Sequence, residues 1–152
     1  MRIGVISDTH GLLRPAALEA VRGCDALIHA GDIGSQAVLD ALAEIAPLTA
    51  VRGNNDAESW AHTLPEEVWI AFERVGVYVL HDVNTLRPQA LTSAVQVVVS
   101  GHSHKPAMQM RNGVLYFNPG SAGPRRFSLP ISVGLLEIDG TRLSPRLQEL
   151  SV

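Results

Sequence analysis

Short apolar runs recur along the whole chain, and each ends in a cluster of glycine, carboxylate, carboxamide or imidazole. Arg2-Ile3-Gly4-Val5-Ile6-Ser7 is a near-continuous apolar run with β-branched residues at 3, 5 and 6, which reads as a strand covered on both faces. It delivers Asp8 and His10 to its carboxyl end, where sheets of this kind keep their chemistry. Three later segments end alike: Leu27-Ile28-His29-Ala30 into Gly31-Asp32, Leu48-Thr49-Ala50-Val51 into Gly53-Asn54-Asn55-Asp56, and Val97-Val98-Val99-Ser100 into Gly101-His102-Ser103-His104. Pro15 to Arg22, with proline at the first helical position and Gly23 just past the end, predicts a short helix. Ser35 is placed to cap a second helix through about Ile45, with Val38, Ala41, Leu42 and Ile45 on one face and Pro47 closing it. Strands and helices alternating through short links predict parallel βαβ units in the first third.

Glu58 to Pro65 is irregular and holds Trp60 and His62. Val68–Phe72 and Val75–Leu80 flank a tight Glu73-Arg74 link, the pattern of an antiparallel hairpin that ends at His81-Asp82. Leu86 to Ala94, with Pro88 near its start, predicts a third helix, and Val95 to Ser100 another buried strand. Ala107–Arg111 and Val114–Asn118 flank Asn112-Gly113, the strongest short hairpin signal, because both central residues must take positive φ. A glycine- and proline-rich loop spans 118–126, and a last hairpin pairs Val133–Ile138 with Arg142–Leu150 about Asp139-Gly140. Pro145 assigns that last strand to an edge. About ten strands and three helices fit a two-sheet core with helices outside better than one open sheet.

With 152 residues and 46% apolar composition, one compact domain spanning 1–152 is expected, with no linker, repeat or low-complexity tract. A net charge of −3 and no basic cluster longer than Arg125-Arg126 argue against a nucleic-acid groove or a polybasic membrane patch. A small substrate or a protein partner fits better, and a homo-oligomer is compatible with the composition. Cys24 stands alone, which excludes a disulfide framework and a cysteine-rich zinc site and leaves it as a small buried hydrophobe. Neither a signal-peptide layout nor a membrane-length apolar stretch is present, so a cytoplasmic location is the default expectation.

Asp8, His10, Asp32, Asn54, His81, His102 and His104 supply the carboxylate, imidazole and carboxamide ligands that divalent cations take at hydrolytic sites. Asp8 and His10 are two apart, as are His102 and His104, so each pair projects to one side of an extended turn. Seven such residues at five strand ends exceed the needs of one tetrahedral ion. They suit two ions sharing a carboxylate, the arrangement that clamps both oxygens of an in-line displacement. Gly31-Asp32-Ile33-Gly34 lacks the Lys-Ser/Thr of a P-loop, and Gly120-Ser121 lacks the setting of a nucleophile elbow. His29, inside a strand, and His62, in a loop, read as structural.

These residues resemble the calcineurin-like metallophosphoesterases, whose Asp-x-His, Gly-Asp, Gly-Asn-x-Asp/Glu, His and Gly-His-x-His motifs occur here in order between Asp8 and His104. Asn118-Pro119-Gly120-Ser121 followed by Pro124-Arg125 is similar to the small single-domain bacterial and archaeal phosphodiesterases of that family. The resemblance implies a four-layer αββα sandwich, two mixed β-sheets flanked by helices. It also implies one metal on Asp8, His10, Asp32 and His104 and a second on Asp32, Asn54, His81 and His102, with Asp32 as the bridge. Hydroxide held between the ions would attack phosphorus, and Asp32, Asn54 and His102 are the candidate catalytic group. The expected metal is Mn²⁺, with Fe, Zn²⁺, Ni²⁺ or Co²⁺ as alternatives that an Asp/His/Asn site also accepts.

Candidate contacts to a small phosphoester substrate are Asn55 and Arg125, with Arg126 as the alternative to Arg125. Many family members carry His where this chain has Asn55, and an amide has no titrating proton near neutral pH. General-acid help of about 10²–10⁴-fold is therefore expected to be missing, which favours diesters or activated leaving groups. Asp82 stands where the family usually has glycine; it is expected to face solvent, the alternative being a carboxylate near the second metal. Two other functions fit the same fold: a non-catalytic metal-binding scaffold, as the resemblance to the retromer-subunit branch implies, and a phosphomonoesterase with water or His62 as acid.

Overall fold

The computed structural model describes residues 1–152. Strands β1 (Arg2–Ile6), β2 (Ala26–His29) and β3 (Leu48–Ala50) are parallel and are linked through helices α1 (Pro15–Val21) and α2 (Gln36–Ala43). β9 (Ser132–Asp139) returns antiparallel beside β1, and β10 (Arg142–Glu149) forms the outer edge, giving the order β10-β9-β1-β2-β3. The second sheet has the order β4-β5-β6-β8-β7, built from β4 (Glu67–Phe72), β5 (Val75–Leu80), β6 (Val97–Val99), β7 (Ala107–Arg111) and β8 (Val114–Asn118). There β5, β6 and β8 are parallel, while β4 and β7 pair antiparallel at the two edges. Pro145 lies on the outer strand, where a missing N–H breaks no internal ladder.

Period-two alternation sorts each strand between two cores. Ile3 and Val5 of β1 face the other sheet, where Val77 and Val79 of β5, Val97 and Val99 of β6 and Phe117 of β8 close the inter-sheet core. Ile6 and Leu27 face the opposite way and pack on Ala17, Val21, Val38 and Leu42 of the helices, with Cys24 buried among them. Gly4 sits on this helix-facing side of β1, where an added Cβ would lie 2.8 Å from Leu27 and 3.0 Å from Val21, so glycine admits α1 against the sheet. Asn112 and Gly113 both take positive φ, 51° and 79°, as the hairpin signal requires. The last hairpin turns one residue later than expected, at Gly140-Thr141, because Asp139 still pairs with Arg142.

The expected helix over 86–94 does not form. Leu86 and Arg87 are extended (ψ 124° and 136°), and only a 3₁₀ turn, Pro88–Ala90, follows a similar turn at Val83–Thr85. Pro88 bars Arg87 from the helical region, and the Thr92 hydroxyl then accepts from Ala94 N, closing the backbone locally. The outer layer over the second sheet is thus these turns, with Val83 and Leu86 packed on Leu80, Val95 and Val98. No helix is long and apolar enough to cross a membrane.

Candidate metal centre

All the motif residues lie in tight turns at strand ends, and the backbone there is bent hard. Of eight non-glycine residues with positive φ, five are candidate ligands: Asp8, His10, Asp32, His102 and His104. Each left-handed residue costs about 1 kcal/mol or more, and such conformations persist where the surrounding structure over-determines them. Here the turns are stitched to one another. Asp8 N donates to Gly31 O (3.0 Å), His10 N to Asp32 O (2.9 Å) and Gly11 N to Ile33 O (2.8 Å). Gly101 N donates to His81 O (2.9 Å), and Asn118 Nδ2 donates to Gly101 O (2.9 Å) and Ser103 Oγ (3.1 Å) under the two-histidine turn. Gly53 lets the backbone pass Asp32, since a Cβ there would lie 2.1 Å from its Oδ1.

These turns bring the seven candidate ligands together as two groups, Asp8 with His10 and His104, and Asp32 with His81 and His102; in each the ligand atoms lie within 4.8 Å of one another. Asn54 joins the second group, its Oδ1 being 3.2 Å from His102 Nδ1. The groups abut: His10 Nε2 is 3.8 Å from both Asp8 Oδ1 and Asp32 Oδ2, and His81 Nε2 is 3.2 Å from Asp32 Oδ2 and 3.9 Å from Asp8 Oδ1. Asp8 Oδ2 accepts from Ser7 Oγ and His102 N, whereas the fully buried Oδ1 has no hydrogen-bond partner. Facing that oxygen are His104 Nε2 at 3.4 Å and the other two imidazoles. His10 Nε2 and His104 Nε2 also confront each other at 3.4 Å. A buried, unpartnered carboxylate oxygen ringed by imidazole nitrogens is costly for the protein alone and is resolved by a cation among them.

The protonation pattern suits that purpose. Burial alone would raise the Asp32 carboxyl, but the hydrogen bonds from His81 and Asn55 N and the His81 and His10 charges hold it at about 2. Burial opposes charge on His81, yet the hydrogen bonds to Asp32 and Ala30 O raise its pKa. The Ala30 carbonyl, 2.8 Å from His81 Nδ1, fixes a proton there, so Nε2, which faces Asp32, is the nitrogen that would ligate a cation in place of its proton. Burial lowers His104, and Arg126 and His10 add to the effect. His29 is fully buried as expected: Thr9 Oγ1 donates to Ile33 O, so it accepts from His29 Nε2, while His29 Nδ1 accepts from Gly31 N. Burial and the neighbouring His81 hold its pKa at about 3.

Two expected substrate contacts are engaged elsewhere. Asn55 donates from N to Asp32 Oδ1 (2.9 Å) and from Nδ2 to Asp32 Oδ2 (3.1 Å), so it clamps the shared carboxylate. Arg125 turns back on its own loop to Leu129 O (3.2 Å), and the loop charge acting on His104 is that of Arg126. Asp82 does not simply face solvent: its Oδ1 accepts from Asn84 N, and its Oδ2 lies 3.8 Å from His102 Nε2. His62 spends its Nε2 on Ala57 O. Sequence reasoning gave Asp56 no role, yet it is 4% exposed and accepts from Ile33 N, Gly34 N and Gly53 N, tying the Asp32 turn to the Asn54 turn. A carboxylate three residues after Gly53, at a turn, was the available signal.

Residues 1–141 match the calcineurin-like phosphoesterase superfamily domain, a superfamily that implies divalent metal ions. A probable metallophosphoesterase of Methanothermobacter thermautotrophicus is 35% identical over 158 residues, covering 97% of this chain and 91% of its own. The phosphodiesterase YfcE of Escherichia coli is 30% identical over 164 residues, covering 91% and 89%. Its solved structure superposes with a TM-score of 0.70 over 99% of this chain and all of its own. In fold alone, Vps29 of Chaetomium thermophilum is similar, with a TM-score of 0.80 at 19% identity, covering 98% and 95%. The chain belongs to the calcineurin-like phosphoesterase superfamily.

Proposed function

We propose that this chain is a phosphoric ester hydrolase, acting foremost on phosphodiesters, with two divalent cations held by its seven-residue set. Asp8, His10 and His104 would hold one ion, Asn54, His81 and His102 the other, and Asp32 both. The observation that carries this reading is the unpartnered Asp8 Oδ1 among three imidazoles, next to the ionised Asp32. When bound, two such cations supply an activated water and neutralise charge on the phosphoryl oxygens. The protein's own part is positioning. Asn55 and His81 fix the Asp32 carboxylate, Ser7 and His102 N fix Asp8, and Ala30 O fixes the His81 ring. Half-exposed His102 and exposed Asn54 are left at the open side, where they would orient the phosphate.

Purified protein with added Mn²⁺ should hydrolyse an activated aryl phosphodiester, and Asp32→Asn should abolish that activity while the circular dichroism spectrum stays native. Undiminished turnover in the variant would overturn the assignment. The amide of Asn55 is committed to Asp32 and carries no proton that titrates near neutral pH, so this position supplies no leaving-group acid. An alkyl monoester should therefore turn over at least tenfold more slowly than the activated aryl diester, and equal rates would contradict the loss of the leaving-group acid.

A scaffold reading draws on a separate feature. An apolar groove of about 510 Å³, with Met108, Met110, Leu143 and Pro145 among its lining, runs between edge strands β7 and β10. The cavity beside the metal centre favours the enzyme.

A further inference from the structure

A cavity of about 370 Å³ opens from the second group of the metal centre, with Asn54, His81 and His102 in its wall. A phosphate held at that centre would turn one substituent into this space. Of the ten lining residues only Leu80 is hydrophobic, so an aryl or acyl chain would find little apolar surface to bury against. The remaining wall is polar, and its charged groups are mostly paired. Arg52 Nη2 is paired with Glu66 at 2.8 Å, and Glu67 is paired with Arg87 at 2.7 Å. Asp82 is the exception: Oδ1 caps the following turn through Asn84 N, but Oδ2 takes no hydrogen bond and has only His102 Nε2 nearby, at 3.8 Å.

We propose that this cavity receives the organic substituent of the phosphoester and selects a short cationic amino alcohol, whose ammonium meets Asp82. The proposal rests on the phosphoesterase reading above. A second phosphate on the substrate is disfavoured, because Asp82 is the uncompensated charge of the wall and Arg52 is already paired with Glu66. Asp82 is a specificity residue here, so its signature is a ratio between ligands and not the level of activity.

The test is calorimetric binding of phosphocholine and of its neutral carbon isostere, 3,3-dimethylbutyl phosphate, to the Mn²⁺-loaded protein. Phosphocholine should bind about fivefold more tightly, the scale of one partly exposed charge contact. In Asp82→Asn, which keeps the capping oxygen, the ratio should fall to about one. In the wild type it should shrink as salt is raised, a readout that needs no variant. Equal affinity of the wild type for the two ligands, no binding of either, or a ratio unchanged in Asp82→Asn would overturn the proposal. Binding does not depend on turnover. A retained preference in a protein that hydrolyses no diester would remove the enzymatic reading alone, and diester hydrolysis without preference would remove the pocket alone.

Discussion

Replacing Asp56 by alanine should damage both stability and metal binding, although this residue belongs to neither candidate ligand group. Its carboxylate takes Ile33 N at 3.0 and 3.1 Å, Gly34 N at 3.1 Å and Gly53 N at 2.9 Å. Two of those donors, on Ile33 and Gly53, are buried, so alanine strands them without water. At roughly 1–3 kcal/mol for each stranded donor, Asp56→Ala should lose about 3–5 kcal/mol. That is a third to a half of the ~10 kcal/mol of a typical domain. Asp56→Asn keeps the shape but sets an amide group toward a backbone N–H, and should lose about 2 kcal/mol. Urea unfolding of the metal-free protein, followed by circular dichroism, measures both. The control is Leu42→Ala in the helix-side core, fully buried and expected to cost about 2–5 kcal/mol. At a temperature where both variants stay folded, calorimetry should show weakened Mn²⁺ binding in Asp56→Ala and native binding in Leu42→Ala. A loss below ~1 kcal/mol, or equal Mn²⁺ affinity in the two variants, would refute the clasp.

His29 should make the metal-free protein acid-sensitive. Its folded pKa of about 3 lies below the ordinary 6.5, so as pH falls through 6.5 only the unfolded chain takes up the proton and stability drops. From about pH 7.5 to about pH 5 the loss is about 2 kcal/mol at ~1.36 kcal/mol per pH unit, and His29→Gln should lack it; parallel stability curves would contradict this. Phe127 is 88% exposed at φ 53°, so Phe127→Asn should relieve about 1 kcal/mol and raise Tm, and a lowered Tm would count against the strain. Asn55→Ala removes the Nδ2 contact to Asp32 and keeps the backbone one, and should weaken Mn²⁺ binding by about tenfold. Titration showing unchanged affinity would contradict the clamp.

What was legible in the sequence was whatever short-range pattern decides. Apolar runs ending in Asp8, Asp32, Asn54, His81 and His102 located the strand ends, and Asn112-Gly113 fixed a hairpin, because both signals lie within a few residues. The number of strands already pointed to two sheets, and the resemblance supplied their four-layer αββα arrangement. The missed parts depend on partners distant in sequence or on competition between local rules. Asn55 reaches Asp32 across 23 residues, and Asp56 reaches Ile33 across the same span, so no local pattern separates a clamp from a substrate contact. At 86–94 Pro88 reads as the opening of a helix, but the same residue holds Arg87 extended and the Thr92 hydroxyl closes the backbone onto Ala94 N, so only a 3₁₀ turn forms. Asp82 reads as a surface charge until β5 and the His102 turn are seen side by side.

Asp32 is expected to serve two cations at once. Anomalous diffraction at the manganese edge, from crystals grown with Mn²⁺, measures that directly. Two peaks roughly 3.5–4 Å apart, with the Asp32 carboxylate touching both, are the predicted result. A single peak, or two peaks of which one lies beyond the reach of Asp32, would contradict it.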